Sequence, residues 1–104
     1  MEKVYVTAEL LVQPHYIEEA KLLLTTLATH SLLEEGCERY EILISTTHLN
    51  RLSTCELWSG SQAETAHWQA DHVKTTVEQL QALLQEPAVV KKYSLVSKLA
   101  ASIS

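Results

Sequence analysis

Two residues of one helical stretch, His67 and Asp71, have types and a spacing that suit acid–base chemistry. Residues four apart share a helix face, so a helix that continues through Asp71 brings its carboxylate to the His67 ring. A histidine oriented in this way is a general base, because it titrates near neutral pH. The alternative is that Asp71 caps the next helix and His67 packs half-buried. We favour this alternative, because capping requires nothing beyond local geometry.

The spacing of the other metal-ligating residues argues against a metal site. His67 and His72 are five apart, which separates them by about 140° on a continuous helix, whereas a helical metal pair is four apart. The two cysteines, Cys37 and Cys55, do not form a C-x-x-C pair, and neither is positioned to complete a tetrahedral set. We therefore predict no bound metal.

Three further residues have side chains that suit a small aromatic ligand. Trp58 and Trp68 offer flat faces for stacking, although tryptophans more often fill a core or an interface. Glu56 shares a strand face with Trp58 and is one candidate for a buried carboxylate with a raised pKa. The alternative for Glu56, which we favour, is an ion pair with Arg39 or Arg51 on a neighbouring strand.

Hydrophobic periodicity divides the chain into four strands and two helical regions. Apolar residues recur at every second position in strands and at every third or fourth position in helices. The predicted strands cover 3–13, 37–46, 51–59 and 88–96, and the predicted helices cover 16–35 and 61–85. Gly36 is predicted to cap the first helix. The second helical region begins with Ser61 and Glu64 as a capping box and is broken near Asp71.

The order strand, helix, strand, strand, helix, strand predicts an α+β protein of the ferredoxin-like type, a split β-α-β plait. In this fold an antiparallel sheet carries its helices on one face only. The other face then presents apolar side chains, among them Tyr5, Leu11, Cys55 and Leu57, or else Trp58. Monomers rarely expose such a patch, so we expect a homodimer packed through the sheet faces.

Length and composition exclude several classes of protein. A chain of 104 residues predicts one domain, with a core over about 3–96 and a frayed tail at 97–104. The net charge of -5 and the lack of a basic patch argue against nucleic acid and anionic membrane as partners. No apolar run is long enough for a membrane span, and the first residues do not resemble a signal peptide. With only two cysteines, we expect a cytoplasmic protein.

Six short motifs, spread from about Val4 to Val96, resemble the antibiotic biosynthesis monooxygenase family. In chain order they are Glu34-x-Gly36-Cys37, Asn50-Arg51, Glu56-x-Trp58, Ala63-x-x-x-His67, Asp71-His72-Val73 in place of Pro-His-Phe, and the helix end at Leu84 and Pro87. One departure is Pro14-His15, where the family commonly has Pro-Gly. Another is that the asparagine and histidine of its haem-degrading branch are missing near Ala8 and Val77. The second departure argues against haem degradation.

The resemblance implies a small ferredoxin-like dimer of the dimeric α+β barrel type and an activity like that of quinol monooxygenases, which use no cofactor. In that chemistry a deprotonated, electron-rich ring passes an electron to O2, so the substrate is the reductant. The resemblance thus implies a monooxygenase for a small phenolic or quinol-like compound. We predict a site in which His67 is the base, Trp58 and Trp68 are stacking walls, Arg51 or His72 donates to the developing oxyanion, and Glu56 contacts the substrate.

Two other functions remain open from the sequence. The family includes an isomerase-type member that processes a phosphorylated signalling sugar, so an isomerase or degrading enzyme for such a sugar is one alternative. The other is a non-catalytic dimer that binds a small hydrophobic molecule. A cavity with a histidine in reach of a bound ring favours the enzyme. Because His67 is predicted on a helix surface, we also expect its replacement to lower the free energy of unfolding by about 0.5 kcal/mol or less.

Overall fold

The structure, a computed structural model, describes residues 2–98, so residues 99–104 of the predicted tail lie outside the described residues. Its elements are β1 (Val4–Leu11), a 3-10 turn (Pro14–Tyr16), α1 (Ile17–Ser31), β2 (Cys37–Ile44), β3 (Arg51–Trp58), α2 (Ser61–Gln69), α3 (Asp71–Gln81) and β4 (Val89–Tyr93). Their order is the predicted one, and the strand bounds agree with the prediction to within about three residues.

The four strands form one antiparallel sheet in the order β2-β3-β1-β4. Each helical connection joins two strands that are separated by a third, and the helices cover one sheet face. This arrangement is the ferredoxin-like plait, so the predicted α+β fold is confirmed.

Alternation along the strands decides which side chains face the helices. On β3, every second residue from Leu52 to Trp58 is buried, and the residues between them point to the other face. The buried strand residues pack against α1 and α3 in one core. That core includes Val6, Leu10, Leu52 and Trp58 of the sheet and Leu24, Leu27, Val73 and Leu80 of the helices.

The first helix is shorter than the predicted range 16–35. Helix α1 ends at Ser31, and the N–H of Glu34 then bonds the Ser31 carbonyl in a tight turn. Gly36 does not cap the helix; it lies in the connection to β2 with a φ of 86°. A Cβ at Gly36 would come 2.5 Å from the Ala63 Cβ, so this position requires glycine for space as well as for conformation.

The predicted break in the second helical region is present at Ala70, whose extended backbone separates α2 from α3. The predicted caps are not found. Gly60 is the N-cap of α2 and Ser61 is its first residue, while Asp71 is the first residue of α3 and follows the N-cap Ala70. Neither helix has a side-chain capping hydrogen bond.

The sheet face away from the helices carries a mixture of apolar and charged side chains. Tyr5, Leu11, Cys55 and Leu57 are all only partly buried there, as predicted, whereas Trp58 points toward the helices. The homodimer that we expect from this face remains a prediction. Among the described residues, every helix is too short or too polar to cross a bilayer.

Candidate active site

A cavity of about 610 Å³ lies between the sheet and the helices. Val73, Val77 and Leu80 line one side of it, because their spacing of three or four residues puts them on one face of α3. Leu10 of β1 and Leu27 of α1 contribute further apolar wall. The volume falls in the range of roughly 300–1,000 Å³ that is typical of small-molecule sites.

Polar side chains collect at the inner end of this cavity. Tyr40, Thr54 and Glu56 reach it from β2 and β3, and His67 and Trp68 reach it from α2. Helix α3 begins beside this group and runs for about 15 Å. Its far end and the segment 85–88 also line the cavity and are exposed, so the cavity meets solvent on that side.

His67 is held by packing and by a carboxylate. Its side chain is 1% exposed, and its ring centroid lies 4.5 Å from that of Trp58 and 5.7 Å from that of Tyr40. Its Nδ1 is 2.9 Å from Oε2 of Glu34. An ionised carboxylate only accepts hydrogen bonds, so Nδ1 donates the proton and Nε2 of the neutral ring keeps its lone pair. No described residue hydrogen-bonds to that Nε2.

The carboxylate partner of His67 is therefore Glu34 and not Asp71, the partner considered from the sequence. Helix α2 ends at Gln69, so the four-residue relation between His67 and Asp71 is lost at the break. Glu34 contributed only to the Glu-x-Gly-Cys motif in the sequence. Nothing in local spacing connects it to His67, which lies 33 residues away.

Glu34 also contacts a second histidine, His72. Nε2 of His72 lies 3.0 Å from the same oxygen, Oε2 of Glu34. The predicted separation of about 140° between His67 and His72 assumed one continuous helix. Because the chain turns at Ala70, that separation does not apply, and both histidines instead meet at one carboxylate. One ligand atom from each of the three residues lies within 4.8 Å of the others.

Glu56 is a buried carboxylate, and the predicted ion pair with Arg39 or Arg51 is not found. Its Oε2 accepts from Thr54 Oγ1 at 2.7 Å, and its Oε1 accepts from Trp58 Nε1 at 3.1 Å. Burial raises the pKa of the Glu56 carboxyl, and the two hydrogen bonds oppose that shift without cancelling it. Arg39 pairs with Glu41 instead.

Tyr40 is a further polar residue of the cavity that the sequence analysis did not select. It lies directly opposite Glu56 in the β2–β3 register. Burial, and next the negative charge of Glu56, raise the pKa of the Tyr40 phenol well above its usual value, so the hydroxyl stays protonated. The predicted hairpin could have indicated this pairing only if its register had been known.

Three of the six predicted site residues, namely Glu56, His67 and Trp68, line the cavity. Trp58 is fully buried in the core and is not part of the cavity wall. His72 contacts Glu34 and is not among the described residues that line the cavity. Arg51 is exposed on the opposite sheet face, because it is out of phase with the buried residues of β3.

Trp68 is fixed by the remaining buried carboxylate, Glu64. Its Nε1 donates to Oε2 of Glu64, and the same oxygen pairs with Lys92 Nζ at 2.8 Å. Lys92 belongs to the edge strand β4, so this contact ties the cavity-lining face of α2 to the sheet.

The sequence profile described as antibiotic biosynthesis monooxygenase matches residues 3–79. The chain belongs to this family. The match covers β1 through most of α3, and it therefore includes Glu34, Glu56, His67 and His72.

Several solved structures have the same fold as this family member. A conserved protein from Methanosarcina mazei is 26% identical, with a TM-score of 0.86 over 89% of this chain and 92% of that chain. A protein of unknown function from Bacteroides thetaiotaomicron, described as a possible oxidoreductase, is 24% identical, with a TM-score of 0.85 over 90% and 98%. A Mycobacterium tuberculosis protein is 22% identical, with a TM-score of 0.88 over 94% and 99%. A comparison with curated proteins found no match.

Proposed function

We propose that this chain is a cofactor-independent monooxygenase that acts on a small phenolic or quinol-like compound. The observation that carries the proposal is the His67 ring at the inner end of an apolar cavity, with one nitrogen held by Glu34 and the other available as a base. Family membership supports a monooxygenase-like activity in general terms. The substrate class is the one that the family resemblance implies, and the apolar cavity with its histidine is compatible with it.

The reaction needs a proton acceptor first. His67 Nε2 takes the proton of a ring hydroxyl, and Glu34 stabilises the imidazolium that forms. The electron-rich phenolate then reduces O2. For a quinol, one oxygen atom enters the ring and the other leaves as water, so that quinol and O2 give hydroxyquinone and water. All four electrons come from the substrate.

The surroundings of the base suit an anionic ring. Apolar walls limit the water beside a phenolate at the inner end of the cavity, which favours its reaction with O2. Burial disfavours the charged form of Glu56 and raises the pKa of its carboxyl, which is the direction that suits an anionic ring nearby. The protonated Tyr40 hydroxyl lies at the same end of the cavity and provides a donor for a ring oxygen. Trp68 offers the aromatic wall that was predicted for it.

The alternatives have less support in the cavity. A phosphorylated sugar calls for cationic and polar groups, but the described part of the cavity lining contains no lysine or arginine. A non-catalytic binder of a small hydrophobic molecule would use the same walls. However, binding alone does not require a histidine that is hydrogen-bonded to a carboxylate, as His67 is to Glu34.

The test is oxygen consumption by the purified chain with a panel of quinols and anthrones. His67→Gln should lower turnover by about 10²–10⁴-fold, the usual contribution of a general base. His67 is buried, so the prediction that it could be replaced at a small cost in stability is wrong. Glutamine is chosen because alanine would leave a cavity in the core. His15→Gln, at an exposed histidine, is the matched control. Undiminished turnover by His67→Gln would exclude His67 as the base. If the wild type binds a quinol but consumes no oxygen, the non-catalytic binding function is favoured.

A further inference from the structure

Glu34, His67 and His72 place three ligand atoms around one point, and the three residues come from three different elements. Glu34 lies in the turn after α1, His67 in α2 and His72 in α3. His67 Nδ1 and His72 Nε2 are 2.9 Å and 3.0 Å from the same Glu34 oxygen. In contrast to the absence of a metal predicted from sequence spacing, we infer that this cluster binds one divalent ion of the zinc class, and that the bound ion prevents His67 from acting as the base.

The geometry is close to that of a zinc site. Zinc bonds of about 2.0–2.2 Å to histidine and carboxylate in a tetrahedral arrangement put neighbouring ligand atoms about 3.3–3.4 Å apart. The two separations from Glu34 Oε2 are shorter than this by a few tenths of an ångström, and all three ligand atoms lie within 4.8 Å of one another, so side-chain movement is needed to admit the ion. Two imidazoles and one carboxylate are a donor set that suits Zn²⁺, with the fourth position left to water.

The cluster is also accessible while remaining ordered. The His72 and Glu34 side chains are 30% and 19% exposed, whereas His67 is buried behind them. An ion can therefore enter from the side of His72, without passing through the cavity. His67 is held in place by its contacts with Trp58 and Tyr40, so one ligand is positioned before the ion arrives.

The effect on catalysis follows from the proton on the His67 ring and rests on the proposed function. Without the ion, Nδ1 carries the proton and Nε2 accepts one from substrate. An ion on Nδ1 displaces that proton, and the neutral ring then carries its proton on Nε2. Nε2 changes from an acceptor to a donor, so ion binding inhibits the reaction.

Binding is tested on the full chain with Zn²⁺ by isothermal titration calorimetry and with Co²⁺ by its visible absorption, which reports the ligand set. We expect one ion per chain. Glu34→Gln and His72→Gln should each weaken binding by more than about 100-fold, since loss of a ligand exceeds the 10–100-fold effect of losing a supporting group. His15→Gln should bind as the wild type does. Absence of a one-to-one complex, or wild-type affinity in both ligand variants, would overturn the site.

Inhibition is tested separately by oxygen consumption with the active substrate. Zn²⁺ should inhibit the wild type and His15→Gln equally, at the concentrations that saturate the titrated site, and a chelator should restore activity. The activity that remains in His72→Gln should be insensitive to those concentrations. One-to-one binding with undiminished turnover would overturn the link to His67 as the base, while the metal site itself would stand. The two failures are thus distinguishable.

Discussion

Replacing Glu34 by glutamine tests the candidate site without altering the cavity wall. The Glu34 carboxylate contacts the rings of His67 and His72 and does not belong to the described cavity lining. Glutamine has nearly the same shape, and its amide oxygen can still accept one hydrogen bond. The substitution removes the negative charge that stabilises a protonated His67.

The expected loss can be worked from the single hydrogen bond at 2.9 Å. A hydrogen bond to a charged group contributes about 1.5–3 kcal/mol. Because this bond strengthens as His67 takes the substrate proton, we assign most of that energy to the transition state. At 1.36 kcal/mol for each factor of ten, Glu34→Gln should lower kcat by about 10- to 150-fold.

The assay is oxygen consumption beside a thermal melt, with Glu35→Gln as the matched control, since Glu35 is the adjacent and exposed carboxylate. Glu34 acts through His67, so the variant with both Glu34→Gln and His67→Gln should be no slower than His67→Gln alone. A Glu34→Gln variant within about twofold of the wild type would refute the reasoning. So would full additivity in the double variant, because it would mean that Glu34 acts independently of His67.

Three further predictions concern stability and assembly. Burial raises the pKa of Glu56 above its ordinary 4.5, so the free energy of unfolding should fall as pH rises from 4.5 through the raised pKa. Denaturant titrations at several pH values measure this dependence, and Glu56→Gln should make it weaker. Gly36→Ala should destabilise by about 2–4 kcal/mol, from the positive φ and the contact with Ala63, and a melt within a degree of wild type would contradict this. Light scattering at micromolar concentration should give twice the chain mass; a monomer would contradict the homodimer.

The fold could be predicted because its signals are local. Alternation at every second residue marks a strand whatever its partner, and it also predicts correctly that Glu56 and Trp58 share one face of β3. The end of α1 was predicted four residues too late, since the apolar repeat continues past Ser31 into the tight turn. Periodicity does not distinguish a last helical turn from such a turn.

The site was predicted only in part, because its contacts are long-range. His67, Glu56 and Trp68 were selected on residue type and motif, and all three line the cavity. Their partners come from residues far away in the chain, as Glu34 does for His67. The meeting of His67 and His72 depends on the direction that the backbone takes at Ala70, which sequence spacing does not determine.

Trp58 lies in the core and outside the described cavity lining, where it contacts two candidate site residues. From its residue type and its place on β3 we predicted that the Trp58 indole stacks on substrate, with a core or interface position as the alternative. Two residues apart on one strand face, Trp58 instead donates its Nε1 proton to Glu56, and its ring packs 4.5 Å from that of His67. One fully buried side chain therefore positions both groups that we assign to the reacting end of the cavity. A substitution at Trp58 should consequently lower turnover, measured as oxygen consumption, even though the indole is not among the described residues that line the cavity.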